Sequence, residues 1–319
     1  MMNDLFRLVE SANSIGISGH IRPDGDCVGS CLGLYSYLKE YFADKRVDVY
    51  LDPFSETFSF LNGVEEVKTS KNVNQVYDLF ISLDCGSSDR LGDAESLFKN
   101  AGKRIVIDHH ISNTKFGMTN IIEPQKSSTC EILFSLLDET LITSEIAQAL
   151  YLGIVYDTGV FKHSNTTMET MVVAGKLIKK GIPFSKIIDD TFYQKTYLQN
   201  QILGRCLLES FLLLNGTVIA SCVDQRVLSF YGAKPDDLDG IVDQMRVTNG
   251  VEVAIFAYEM ESGEYKVSMR SNGAVDVSKI AVYFGGGGHV KAAGCALKGS
   301  YHDVITNITG HIESQLRNC

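Results

Sequence analysis

Asp78-Leu79-Phe80-Ile81-Ser82-Leu83-Asp84-Cys85-Gly86 is the stretch that decides the fold. Its centre is almost continuously apolar, the pattern of a strand covered on both faces, and it ends on a carboxylate. Arg104-Ile105-Val106-Ile107 repeats the arrangement and ends in Asp108-His109-His110. Residues 14–19, with Ile15 and Ile17 alternating, form a strand that runs into His20-Ile21-Arg22-Pro23-Asp24-Gly25-Asp26, read as a loop. Helical spacing over residues 2–13, 27–41 and 93–100 separates these strands, and residues 46–51 add another. Strands alternating with helices imply a parallel α/β sheet, whose ligands gather beyond the carboxyl ends of the strands.

The chain continues in helices. Ser128-x-x-Glu131 reads as a capping box opening a helix over 129–137, and a helix over 146–155 delivers Asp157-Thr158-Gly159. Thr166-x-x-Glu169 caps a further helix that stops at Lys179-Lys180-Gly181, with Pro183 beyond. Residues 185–214 are helical and then strongly apolar, as in a helix joining two domains. From Thr217 the character changes. Strands are expected at 218–220, 252–260 and 264–269, the last two joined by a turn at Ser262-Gly263. A helix over 276–284 leads into Gly285-Gly286-Gly287-Gly288-His289 and Ala292-Ala293-Gly294, and a terminal helix covers 302–317.

A length of 319 residues exceeds the usual single-core domain, so two domains are expected. A net charge of −10 and a pI near 5.2 argue against a protein that holds long duplex nucleic acid by neutralising its phosphates. Small phosphorylated substrates stay open, because metal ions supply positive charge locally. Eight cysteines without a Cys-x-x-Cys pair read as reduced thiols of a cytoplasmic protein. The opening residues lack a basic region and a long apolar run, so secretion is not expected, and no apolar run spans a bilayer.

Four clusters bring His20, Asp24, Asp26, Asp84, Asp108, His109, His110 and Asp157 to the ends of similar segments in one half of the chain. Taken singly, each has a plainer reading: Asp24-Gly25-Asp26 as a turn, Asp84 or Asp157 as a helix N-cap, Asp-His-His as a strand exit. Their coincidence argues for one site. Carboxylates mixed with imidazoles favour Mn²⁺ or Mg²⁺ over structural zinc, and the number of ligands exceeds what one ion needs. Two ions bridged by a carboxylate and a hydroxide are the better inference. Glycines 285–288 let backbone N–H groups approach an anion, with His289 as a phosphate donor; the plainer reading is a hinge. Cys27 and Cys31 read as packing residues, Cys85 lacks the basic partner of a catalytic thiol, and the aromatic residues across 192–211 read as core.

His20-x-x-x-Asp24-x-Asp26, Asp84-Cys85-Gly86, Asp108-His109-His110 and Asp157-Thr158-Gly159 resemble the four motifs of the DHH phosphoesterase superfamily, in order. The run from Gly285 through His289 and the following Ala292-Ala293-Gly294 resemble the hallmark of its DHHA1 C-terminal domain. The resemblance covers essentially the whole chain. It implies a parallel-sheet DHH domain over 1–188, a linker helix over 189–214 and a smaller α/β DHHA1 domain over 215–319, with the active site in the cleft between them. It also implies two Mn²⁺ ions, with Mg²⁺ or Co²⁺ as alternatives. His20, Asp24 and Asp84 would hold one ion, and Asp26, Asp84, His109 and Asp157 the other. His110 would contact the scissile phosphate and Asp108 would orient the histidines. Arg270, Ser271, Gly286, Gly287 and His289 would bind substrate, with Arg90 a further phosphate contact.

Among the types in this superfamily, size and architecture resemble stand-alone nanoRNases. The chain lacks the transmembrane segments of the cyclic-dinucleotide phosphodiesterases, the added barrel of the single-strand exonucleases and the lysine-rich second domain of family II pyrophosphatases. The resemblance implies hydrolysis of short oligoribonucleotides and of 3′-phosphoadenosine 5′-phosphate (pAp), with no membrane partner and a homodimer as one assembly. A soluble cyclic- or linear-dinucleotide phosphodiesterase is the alternative enzyme. A nucleotide-binding regulator is the alternative from another class, but no expected metal position is missing.

Overall fold

The computed structural model describes residues 4–260 and 263–317. The expected turn residue Ser262 and the first residues of the opening helix lie outside them. The chain divides into two compact units, Met1–Gln194 and Lys195–Cys319.

In the first unit the apolar stretches become strands β1 (Ser14–Ser18), β2 (Arg46–Tyr50), β3 (Val67–Lys68), β4 (Leu79–Leu83), β5 (Lys103–Asp108) and β6 (Thr119–Ile122). Among the described residues they form one six-stranded sheet in the order β3-β2-β1-β4-β5-β6, parallel throughout. All five residues of β4 are buried, as its sequence requires. Leu79, Ile81 and Leu83 face one core together with α1 (Asp4–Glu10) and α2 (Gly25–Tyr41). Phe80 faces the other, with Leu97 and Phe98 of α3 (Glu95–Asn100). The helices α4 (Thr129–Leu136), α5 (Ser144–Asp157), α6 (Met168–Ile178) and α7 (Phe184–Ile188) complete the unit, and α4 and α5 pack on the α1/α2 side. Strand order reverses between β1 and β4, so the loops leaving these neighbours diverge and open a crevice at their carboxyl ends.

Three local readings differ from the structure. Helix α2 begins at Gly25, so Asp26 lies in its first turn rather than in a loop, because the Asp24 side chain caps the helix by accepting from the N–H of Asp26 and Cys27. Ser128 caps α4 as expected, but the Glu131 carboxylate accepts from Ser127 N–H instead of closing the box. Helix α6 is capped by Thr167 with Thr170, one residue later than the expected Thr166.

The expected linker helix over 189–214 differs as well. After α7 the chain makes a π-turn (Asp189–Tyr193), extends at Gln194 and starts afresh at α8 (Tyr197–Leu208), where Thr196 and Gln199 form a capping box. Ile202 and Cys206 of α8 belong to the second unit's core, and β7 (Phe211–Leu213) follows. A fresh cap breaks what periodicity alone joins. Tyr193 and Tyr197, expected in the core, are 63% and 80% exposed.

The second unit adds β8 (Val218–Val223), α9 (Gln225–Tyr231), α10 (Ile241–Arg246), β9 (Val253–Glu259), β10 (Glu264–Ser271), α11 (Val277–Tyr283), β11 (Gly287–His289), β12 (Ala292–Lys298) and α12 (Tyr301–Leu316). Its sheet runs β11-β12-β10-β9-β8-β7, with β8 and β9 parallel and the other pairs antiparallel. Val267, Met269 and Cys295 face α11 and α12, whereas Ile219 and Phe256 face α8, α9 and α10 on the other side. The glycine run, for which the plainer reading is a hinge, carries β11. A Cβ on Gly286 would stand 2.1 Å from the Gly294 carbonyl oxygen, so the close approach of the two segments needs glycine there. No helix among the described residues is long and apolar enough to cross a membrane.

Candidate metal centre

The loop after β1 carries His20, whose Nδ1 donates to the Ile21 carbonyl at 2.8 Å. That bond leaves Nε2 facing Asp84 Oδ2 at 3.5 Å and Asp24 Oδ2 at 3.8 Å. Ile21 N–H donates to the Arg90 carbonyl at 2.7 Å, which ties this loop to the segment after β4. Asp84, directly after β4, takes a left-handed conformation with φ of 52°, which aspartate tolerates better than most residues. Its own N–H continues the ladder to the Ile107 carbonyl at 3.1 Å, so backbone pairing holds the turned residue in place.

On the other side of Asp84 stands His109. Its Nε2 lies 3.5 Å from Asp84 Oδ1, 3.0 Å from Asp157 Oδ2 and 4.0 Å from Asp26 Oδ2. Asp26 is fully buried and accepts N–H bonds from Thr129 at 2.6 Å and Cys130 at 2.9 Å, the first amides of α4. Helix α5 passes close enough to deliver Asp157 because Gly153 has no side chain; a Cβ there would stand 2.5 Å from Asp26 Oδ1. Asp108, buried at the end of β5, accepts from the N–H groups of His109 and His110 and pairs with His110 Nδ1 at 2.7 Å. Asn113 donates to its second oxygen at 2.6 Å. Asp108 thus orients the His110 ring and the backbone of both histidines, but not the His109 ring.

Carboxylates and imidazoles packed this closely form a cluster fit to hold a cation. Burial opposes protonation of His20, yet Asp24 and Asp84 outweigh it and push its pKa up to about 11. Asp157 and Asp84 overcome burial in the same way and push His109 up to about 11. Asp84 is buried too, but the two imidazoles hold it well below the usual carboxylate range. Burial, with the charges of Asp84 and Asp157, drives Asp26 well up, and burial raises Asp157. Donor atoms fall into groups of metal-holding size at His20, Cys27 and Asp84, at Asp26, His109 and Asp157, and at Asp84, Asp108, His109 and His110. Oxygen and imidazole donors fit Mn²⁺ or Mg²⁺. The Cys27 thiol stands beside His20 and Asp84, but burial pushes it well up and it donates to the His20 carbonyl at 3.8 Å.

All six expected ligands, with Asp108 and His110, therefore meet at the carboxyl end of one sheet. Arg90 is exposed in the adjoining segment. In the second unit Arg270 and His289 each stand opposite Ala292 across adjacent strands, which puts both on one face of that sheet. Arg270 Nε donates to Asp243 at 3.0 Å. The expected substrate contact of Ser271 is not supported: it is buried, and its hydroxyl donates to Glu252 at 3.0 Å. Cys85 is buried and its thiol pushed up to about 12 by burial, which suits no nucleophile. Sequence reasoning missed Thr129, Asn113 and Asn165, which hold the cluster; only the helix start at Ser128 pointed toward the first of them.

Comparison with known proteins agrees with the geometry. The family model described as DHH family, N-terminal domain, matches residues 14–154, and the DHHA1 domain model matches residues 215–318. The chain is 33% identical over 288 residues to the bifunctional oligoribonuclease and PAP phosphatase NrnA of Thermus thermophilus, covering 89% of this chain and 84% of that one. It is 27% identical over 304 residues to the protein of the same name from Bacillus subtilis, covering 93% of each. A crystal structure of an exopolyphosphatase-related protein from Bacteroides fragilis shares the fold, with a TM-score of 0.87 at 24% identity over 97% of this chain and 94% of that one. On these domain matches and the relative at 33% identity, the chain belongs to the DHH family of phosphoesterases, in the branch that carries a DHHA1 domain.

Proposed function

We propose that this protein is a metal-dependent phosphodiesterase and phosphatase, which hydrolyses short oligoribonucleotides to mononucleotides and pAp to AMP, with two Mn²⁺ ions as cofactor. The observation that carries this reading is the Asp84 carboxylate, whose two oxygens each face a different imidazole at 3.5 Å. A carboxylate so placed would offer one oxygen to each of two cations. His20 and Asp24 would complete one ion's ligands, and Asp26, His109 and Asp157 the other's.

Two such ions, when bound, supply an acidic water and neutralise charge on a phosphoryl group. The chain's own residues do the rest. Asp108 fixes His110 so that its free Nε2 meets a phosphate oxygen, and Arg270 and His289, with the Gly287 backbone, bind the nucleotide, whereas the Gly286 amide is taken by the Ala281 carbonyl at 2.8 Å; Arg90 adds a cation beside the His20 loop. The relatives' names point to the substrates. Free thiols at seven described cysteines, six of them buried, suit a cytoplasmic setting.

Purified protein with Mn²⁺ should release phosphate from pAp and mononucleotide from a labelled RNA trimer, with cyclic di-AMP and pApA as comparison substrates. Release from neither pAp nor the trimer overturns the proposal.

A further inference from the structure

The segment that opens α4 supplies none of the proposed metal ligands, yet it touches the elements that carry three of them. Thr129 is fully buried. Its N–H donates to Asp26 Oδ2 at 2.6 Å and its hydroxyl donates to Asp84 Oδ1 at 3.2 Å. One residue therefore holds a carboxylate from the α2 side and the carboxylate that faces both imidazoles. Just before it, Ser127 is tied to the end of α5. The Asn165 side-chain amide donates to the Ser127 carbonyl at 3.0 Å and to the Asp157 carbonyl at 3.2 Å. Glu131 closes the segment from behind, accepting from Ser127 N–H at 3.1 Å, Ser127 Oγ at 2.6 Å and Thr170 Oγ1 at 2.9 Å.

A carboxylate turns easily about its last torsion, because that torsion has no deep staggered wells. Asp84 serves two ions only if Oδ1 and Oδ2 keep to their own sides, and the Thr129 hydroxyl is the neutral side-chain donor that pins Oδ1. The Thr129 and Cys130 amides pin both oxygens of Asp26. We infer that Thr129, seated by Asn165, is a positioning residue that sets the relation between the two ion positions by fixing Asp84 against Asp26. This rests on the metal-dependent reading above.

The test is Mn²⁺ titration by calorimetry of the full chain as wild type, Thr129→Val, Thr129→Ser and Asn165→Ala, with kcat and KM on pAp measured alongside. Thr129→Val keeps the shape and the backbone amide but removes the hydroxyl. It should weaken uptake of the second Mn²⁺ by about 10- to 100-fold, the usual effect of losing an outer partner of a metal ligand, and lower kcat with KM little changed. Thr129→Ser should restore both. Asn165→Ala should weaken the same second step, and it decides the matter if Thr129→Val shows no cooperative unfolding in EDTA. Wild-type uptake of two Mn²⁺ with Thr129→Val indistinguishable, or with Thr129→Ser failing to rescue, overturns the role of Thr129 alone. Wild-type protein that takes up no Mn²⁺ overturns the metal-dependent reading together with this inference.

Discussion

Asp84 shows how a single residue acquires its role from its backbone. Its left-handed turn aims the carboxylate back over the strand ends, where His20 and His109 lie at equal distance. Asp84→Ala should therefore cost far more turnover than the roughly 10- to 100-fold expected of Asp108→Asn, which disturbs the His110 ring and the backbone of both histidines but removes no proposed ligand. Steady-state rates on pAp, with far-UV circular dichroism as a check on folding, separate the two; equal losses would remove the bridging assignment. The histidines also predict a pH effect. Because the folded-state pKa of His20 and His109 is raised to about 11 from an ordinary 6.5, the stability they contribute is full below about pH 6.5 and is lost as pH rises toward 11. In EDTA the urea midpoint should fall between pH 7 and pH 10, and saturating Mn²⁺ should remove that fall by taking over from the protons. A flat midpoint in EDTA would contradict it. Asp24 was legible as a turn residue or a ligand but not as a helix cap, and the structure adds that role: one oxygen accepts the α2 amides while the other faces His20.

At the scale of elements, the central strands β1, β2, β4 and β5 were easy to read, whereas β3, β6, β7, β11, β12 and the boundaries between helices were not. Strand β4 shows itself because burial on both faces demands an unbroken apolar run. The break at residues 194–196 hides within helical periodicity, since it is short and a new cap at Thr196 restarts the helix at once. Strand β11 hides for the opposite reason: glycine and histidine carry no strand pattern, and the pairing with β12 depends on close approach of the two backbones. Gly286→Ala should destabilise the protein by about 1–3 kcal/mol through that clash. Gly175→Ala is its contrast, since a Cβ in this interior position of α6 meets nothing within 4 Å. It should stabilise by about 0.5–1 kcal/mol. Chemical denaturation of both variants checks the pair, and the same sign of change in both would refute the argument.

All the proposed metal ligands lie in the first unit, and the second unit has a separate sheet, each unit with its own apolar cores. Metal should therefore stabilise the first unit selectively. At about 100 times the dissociation constant, Mn²⁺ should add about 2.7 kcal/mol of stability. Differential scanning calorimetry in Mn²⁺ and in EDTA should show one transition moving while the other stays; Asp84→Ala should abolish the movement, and an unmoved profile in wild type would argue against a resident metal. The sequence by itself determined the parallel sheet and the ligand candidates, because buried strands must be apolar and acidic residues at their ends stand out against them. It could not decide which oxygen faces which imidazole, nor that Thr129 joins Asp26 to Asp84 from a position more than 40 residues beyond either. Those depend on the reversal of strand order between β1 and β4, which brings loops from distant parts of the chain to one crevice. Only the fold brings such residues together, and hydrogen bonds act over about 3 Å whatever the separation along the chain.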